Sequence, residues 1–202
     1  GYGSTTYSSV SSYLNSYEGK PFGSLVGQRY QRDPDTGKIL VDNNNLPMYT
    51  DASHDFGTIL PDYTGGFQNI IRYGGFELSA MIDFQVGGQF FSRSKMLAVR
   101  TGLDPITVVT NDKGYNVRDD VAAGGGVKVE GISASTGEPV TAYVNPQTYY
   151  GVVGRRVYEE WLFDASYVKL REVRLGYTFS QADFENLPFQ KIGLAFTARN
   201  PA

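Results

Sequence analysis

A chain of 202 residues is long enough for one or two globular domains, and a hydrophobic share of 41% is too high for disorder. A net charge of −3 without any Lys/Arg block argues against a nucleic-acid or polybasic membrane-surface role, and zero cysteines exclude a disulfide scaffold, thiolate metal sites and thiol catalysis. No run approaches the ~18 unbroken apolar residues of a membrane helix, while 15 Tyr, 12 Phe and 24 Gly favour strands and turns.

In chain order, period-2 alternation predicts five strands. The first lies in PFGSLVGQRYQRD, roughly residues 22 to 32. The second and third, FQNIIRY and FELSAMIDFQV, are joined by Gly74 and Gly75, which lack the Cβ that opposes positive φ in a tight hairpin. The fourth is long, residues 158 to 179, and the fifth is KIGLAFTARN, where Ile192, Leu194, Phe196 and Ala198 share one face. Helical periodicity is weak throughout, so the expected fold is all-β.

Connection lengths alternate. Residues 33 to 63 read as a long polar loop, Gly74-Gly75 as a minimal one, 92 to 157 as a very long one and 180 to 190 as a fairly short one. A compact soluble sandwich seldom holds two structureless connections of that size. A partial transmembrane β-barrel of antiparallel strands expects them, with short periplasmic turns and long extracellular loops. On that pattern the first, third and fifth strands run outward and the second and fourth inward.

Phe76, Leu78, Ala80, Ile82, Phe84 and Val86 form one face of the third strand, and Glu77, Ser79, Met81, Asp83 and Gln85 the other. Such a strand is ~36 Å long and, tilted near 45°, crosses ~25 Å of bilayer. The sequence therefore predicts Phe76, Leu78, Ile82, Phe84 and Val86 as lipid-facing, with Glu77, Asp83 and Arg174 as polar lining of a lumen. A half-buried soluble antiparallel sheet shows the same alternation. Tyr73, Phe76, Tyr177 and Phe179 at one end and Phe90 and Phe91 at the other fit interfacial girdles, although Tyr and Phe also favour strands generally. In the fourth strand Val173, Leu175, Tyr177 and Phe179 are in one phase, Val168 and Leu170 in the other. Either a bulge near Arg171 and Glu172 resets the register, or the strand projects above the membrane there. Its length, about twice a crossing, favours projection.

Catalytic constellations are thin. His54 is the only histidine and has no G-x-S-x-G elbow. Glu159, Glu160 and Asp164, read as strand residues, do not present a flanking carboxylate pair. DPDTGK, residues 33 to 38, reads as a turn, lacking the remaining ligands of a calcium loop. No cofactor, metal or catalytic site is expected. VKVEGISASTGEPVTAYV, 127 to 144, reads as a loop hairpin. Beyond it, Tyr149, Tyr150 and Trp161 are candidates for substrate or partner contact, their flat rings suiting sugars, peptides or a docking protein; packing of the hairpin is the alternative.

DASYVKLREVRLGYTF (164 to 179) followed by LAFTARNP (194 to 201), with YTGGFQN (63 to 69) before YGGFELSAMIDFQVGGQFFS (73 to 92), resembles the C-terminal barrel part of SusC/RagA-type TonB-dependent outer-membrane transporters. GKPFGSLVGQRYQRDPDTGKILVD (19 to 42) is similar to the same family's preceding strand and loop. The resemblance implies a place in the bacterial outer membrane, in a barrel of about 22 strands around a plug. It further implies energy through TonB, a SusD-like surface lipoprotein as lid, and import of oligosaccharides or oligopeptides. Plug and closing strands are absent, so residues 1 to 202 are expected to be a fragment of one barrel domain whose partners are the remaining barrel and plug and the lipid bilayer. The alternative is a soluble secreted all-β glycan-binding or adhesin domain. A barrel lipase or protease would need a nucleophile and base that these residues do not assemble.

Overall fold

A computed structural model of the chain describes residues 13–19, 22–51, 54–180 and 190–201. In chain order its strands are β1 (Tyr13–Asn15), β2 (Ser24–Gly27), β3 (Leu40–Val41), β4 (His54–Thr58), β5 (Tyr63–Tyr73), β6 (Phe76–Val86), β7 (Gln89–Phe91), β8 (Val127–Ser133), β9 (Pro139–Val144), β10 (Leu162–Asp164), β11 (Tyr167–Ser180) and β12 (Lys191–Arg199). The helices are α1 (Arg93–Arg100) and α2 (Pro146–Arg156). Strand predominates. The residues group into two compact units, one from the chain up to Leu60 plus Gln89–Asp164, the other from Pro61–Gly88 plus Ala165 onward.

The second unit is a single antiparallel sheet in the order β12-β11-β6-β5. Its hairpin turns at Gly74, φ +58°, as the Gly-Gly pair predicts. β5 begins at Tyr63, earlier than predicted. Gly65 makes that possible, because a Cβ there would come within 2.6 Å of the Phe84 ring opposite it. β11 settles the conflict of phase by a bulge. Leu170 pairs with Ile82 and Glu172 with Met81, so Arg171 is the extra residue. The expected projection is corrected accordingly: one inserted residue returns Val168 and Leu170 to the face of Val173 and Leu175. The connection predicted at 180 to 190 lies largely outside the described residues.

The predicted strand at 158 to 179 is also corrected. Glu159–Trp161 is a 3-10 turn, β10 pairs with β7, and Ala165 and Ser166 interrupt the strand before β11. At the interruption, Gln85 donates to the Ala165 carbonyl at 3.1 Å, and Ser166 Oγ accepts from the Gly87 amide at 2.9 Å.

In the first unit the loops expected at 33 to 63 and 92 to 157 carry structure. The first predicted strand shortens to β2, buried between β1 and β4, with isolated bridges at Tyr30 and Arg32 beyond it. Asp33 closes the predicted turn by accepting from the Thr36 amide at 2.8 Å. The predicted hairpin forms as β8 and β9, pairing Val127 with Val144 and Val129 with Ala142, and β3 adds in parallel to β8. α1 is capped by Ser92, and α2 by Asn145 with Pro146 in its first turn. Each helix buries a short stripe, Met96 and Val99 on one, Tyr150, Val153 and Gly154 on the other. These side chains meet Tyr30, Val157, Tyr158 and Trp161 in the core.

Gly154 allows α1 and α2 to approach, since a Cβ there would lie 2.9 Å from Arg100 Cβ, whereas a Cβ on Gly151 meets nothing within 4 Å. Two glycines in one helix should therefore respond oppositely to alanine. Gly151→Ala is expected to raise stability by about 1 kcal/mol through helix propensity. Gly154→Ala is expected to lower it by about 1–3 kcal/mol through crowding. Denaturant midpoints measure both, and equal shifts would contradict the packing described.

Candidate functional site

The sheet of the second unit has two chemically distinct faces. Cross-strand register puts Tyr73, Ile71 and Phe67 of β5 beside Phe76, Leu78 and Ile82 of β6. The same face continues through Tyr177, Leu175 and Val173 of β11 to Leu194, Phe196 and Ala198 of β12. Asn69 is the polar exception on β5. The face is not covered: Phe67 is 61% exposed, Phe76 56%, Val168 77% and Phe196 73%. A monomeric soluble protein rarely leaves so continuous an apolar surface in water.

Charges occupy the opposite face. Glu77 accepts from Arg72 Nε at 2.7 Å and from Arg174, and Asp83 pairs with Arg171 at 2.8 Å and accepts from the Tyr167 hydroxyl. Arg199 donates to Glu172 at 3.0 Å. Ser79, between the Arg174 and Ile70 positions, is buried. Water-exposed ion pairs contribute about 0–1 kcal/mol each, so their stabilising effect is small. Their consequence is to make one face polar, with each of the carboxylates Glu77, Asp83 and Glu172 paired to an arginine. Among the described residues no strand pairs with the outer edge of β5 or of β12.

The first unit holds a groove. A cavity of about 530 Å³ lies where α1 ends and α2 begins, lined by Arg100, Thr107, Arg118, Asn145, Gln147 and Tyr150 among others. A second, of about 420 Å³, shares Arg100 and Gln147 and adds Tyr49, Arg155 and Arg156. Arg118 is fixed by the Thr107 carbonyl at 2.9 Å, the Thr107 hydroxyl at 2.7 Å and the Gly102 carbonyl.

A solved structure shares this fold. It is that of the RagAB peptide importer in its closed-closed state, similar with a TM-score of 0.51 at 17% identity, over 88% of this chain and 19% of that one. The likeness is one of fold, and the chain spans 19% of the length of the protein chain it matches. No family model and no curated protein matches.

The structure brings together some of the residues predicted as site residues and separates others. Phe76, Leu78, Ile82, Phe84 and Val86 share the apolar face; Glu77, Asp83 and Arg174 share the polar one, Glu77 and Arg174 in direct contact. Their partners Arg72, Arg171 and Tyr167 were not predicted, because the pairing needs the register of β5 and β11 against β6. Tyr150 and Trp161 are core residues, 8% and 6% exposed, their polar atoms bound to the carbonyls of Ile106 and Val153. Trp161 is described by packing, the alternative; Tyr150 packs in the same core and also lines the first cavity. Tyr149 is half-buried against Tyr150, ring centroids 5.2 Å apart. Burial pushes the hydroxyls of Tyr30 and Tyr149 above the usual phenol range. His54 stands edge-on to Phe56, and Glu159 accepts from the Tyr30 amide and Arg32.

Asp104, which follows the groove residue Leu103, is ion-paired. Lys95 lies 2.7 Å from Asp104 and, with the Ile106 amide, holds its carboxyl below the ordinary range. A carboxyl depressed in the folded state contributes stability that is complete above the ordinary value of ~3.9 and is lost as pH falls through the folded value. Asp104→Asn, which keeps a capping side chain, is therefore expected to flatten the loss of stability below about pH 4. Unfolding followed against pH checks this; an unchanged acid limb would contradict it.

Proposed function

We propose that this chain is part of the barrel wall of a SusC/RagA-type TonB-dependent importer in the bacterial outer membrane. The observation that carries it is the uncovered apolar face running across all four strands of a sheet whose other face is ion-paired. On this reading Phe76, Leu78, Ile82, Phe84 and Val86 touch lipid, while Glu77, Asp83 and Arg174 line a wet lumen. β5 and β6 each have 11 residues, the number that crosses a bilayer at a tilt near 45°. In hydrocarbon every backbone group needs a partner, so the outer edges of β5 and β12 continue into further strands of the same barrel.

The same reading takes residues 1 to 202 as a segment of one barrel domain, working with the rest of that barrel and its plug, with TonB and with a SusD-like surface lipoprotein. The fold likeness to a peptide importer favours oligopeptide over oligosaccharide as cargo. On this reading the chain binds and passes solute without a reaction of its own; His54 packs edge-on to Phe56 and Glu159 pairs with Arg32.

Phe67 and Gln68 are adjacent on β5, both exposed, and on opposite faces. Phe67→Arg is expected to cost about 2–4 kcal/mol of folding in lipid, the depth-dependent penalty of a charge near the bilayer midplane. Gln68→Arg should leave folding within about 0.5 kcal/mol. The fraction of full-length protein recovered folded in outer membranes measures both, and equal recovery would count against this proposal.

A further inference from the structure

Arginines are distributed unevenly in the first unit. Where this unit brings a cation to a carboxylate it pairs them, as in Lys95 with Asp104, Lys128 with Asp112 and Arg32 with Glu159. Arg100, Arg118, Arg155 and Arg156 instead line the two adjoining cavities, and neither lining contains an aspartate or glutamate. Four like charges along one groove repel one another, and the chain as a whole has a net charge of −3. Clefts lined by one sign of charge concentrate ligands of the other.

The guanidinium groups are set for recognition rather than solvation alone. Arg118 uses its Nε and Nη2 donors on neutral oxygens of Gly102 and Thr107, which fixes the plane without neutralising the charge. Among the described residues no acceptor lies on its Nη1, so that edge of the fork stays available for a carboxylate. Arg100 and Gln147 line both cavities, and Arg156 lies over the Tyr49 ring, 5.4 Å from its centroid. Asn145 already accepts from the first amides of α2, so the arginines, not the helix end, supply the positive charge. Between the arginines, the side-chain amide of Gln147 offers one donor group and one acceptor, the complement of a peptide bond. Val99, Leu103 and Pro146 give apolar floor. Each cavity lies within the usual size of a ligand site.

We propose that this groove binds oligopeptides through their carboxylates, so that the importer selects acidic peptides; the transport half of that statement rests on the function proposed above, the binding half does not. Titration calorimetry on the full-length chain in detergent tests it, with a short Asp/Glu-rich peptide, its Asn/Gln counterpart and an oligogalacturonate. The acidic peptide is expected to bind about tenfold tighter than the neutral one, with affinity falling as salt rises. Arg118→Gln and Arg155→Gln should each lose about tenfold, as for a charge-assisted hydrogen bond removed, whereas Lys38→Gln, away from the groove, should lose nothing. Equal affinity for acidic and neutral peptides, or both arginine variants binding like the parent, would overturn the proposal, as would preference for the oligogalacturonate. Binding is read without transport, so its failure leaves the membrane reading intact, and failure of the Phe67 and Gln68 comparison leaves the groove measurable.

Discussion

Pleating sends successive side chains of a strand to opposite faces, and a one-residue slip would exchange every one of them. In the four-stranded sheet that constraint meets its hardest case at β11, where the apolar residues before Arg171 and after Glu172 are out of phase in the sequence. A single bulge absorbs the mismatch. Its cost is one unpaired residue; its effect is that Val168 and Leu170 join Val173 and Leu175 on the greasy side, while Lys169, Glu172 and Arg174 stay on the charged side. The inserted residue itself is used, its guanidinium meeting Asp83 across the strands. Without the bulge, one end of β11 would turn its hydrophobic residues to the polar face and a lysine and a tyrosine to the apolar face.

The sheet's design is readable in β6 and β12, because each alternates without interruption and the Gly-Gly turn sets the hairpin register. The β8–β9 hairpin is readable for the same reason. The helices were not. α1 has 8 residues and α2 carries two glycines in 11, so neither displays the long apolar stripe on which helical periodicity depends. Their caps, Ser92 and Asn145-Pro146, were the available signal. Tyr150 and Trp161 were ambiguous because an aromatic residue near a loop looks alike in sequence whether its ring stacks on a ligand or fills a core; α2 turns Tyr150 toward the core at helical spacing with Val153, at the lining of the first cavity. The ion pairs of the polar face escaped for another reason. A charge partner across strands is fixed by register, and register around Arg171 required the bulge to be placed first.

Arginine has two distinct uses in this chain. On the sheet, Arg72, Arg171, Arg174 and Arg199 each meet a carboxylate. On the function proposed above, that pairing suits the wet face of a barrel wall, where an unpaired carboxylate would be expensive. In the first unit's groove the arginines are left without acids, and Arg118 is held by neutral oxygens. Fixed but uncompensated charge is what a carboxylate-binding surface requires, since the ligand then supplies the missing partner and little side-chain freedom is lost on binding.

The central claim is that lipid, not protein or water, covers the greasy side of β6. Nitroxide labels placed singly from Glu77 to Gln85 in the full-length protein, reconstituted in bilayers, would measure it through collision with oxygen and with a water-soluble nickel chelate. Labels at Leu78, Ala80, Ile82 and Phe84 should collide chiefly with oxygen, and those at Glu77, Ser79, Met81, Asp83 and Gln85 should not, giving a period of two along the strand. Labels on the even positions that are immobile and shielded from both reagents would mean a second protein layer covers that face, and the membrane account would be contradicted.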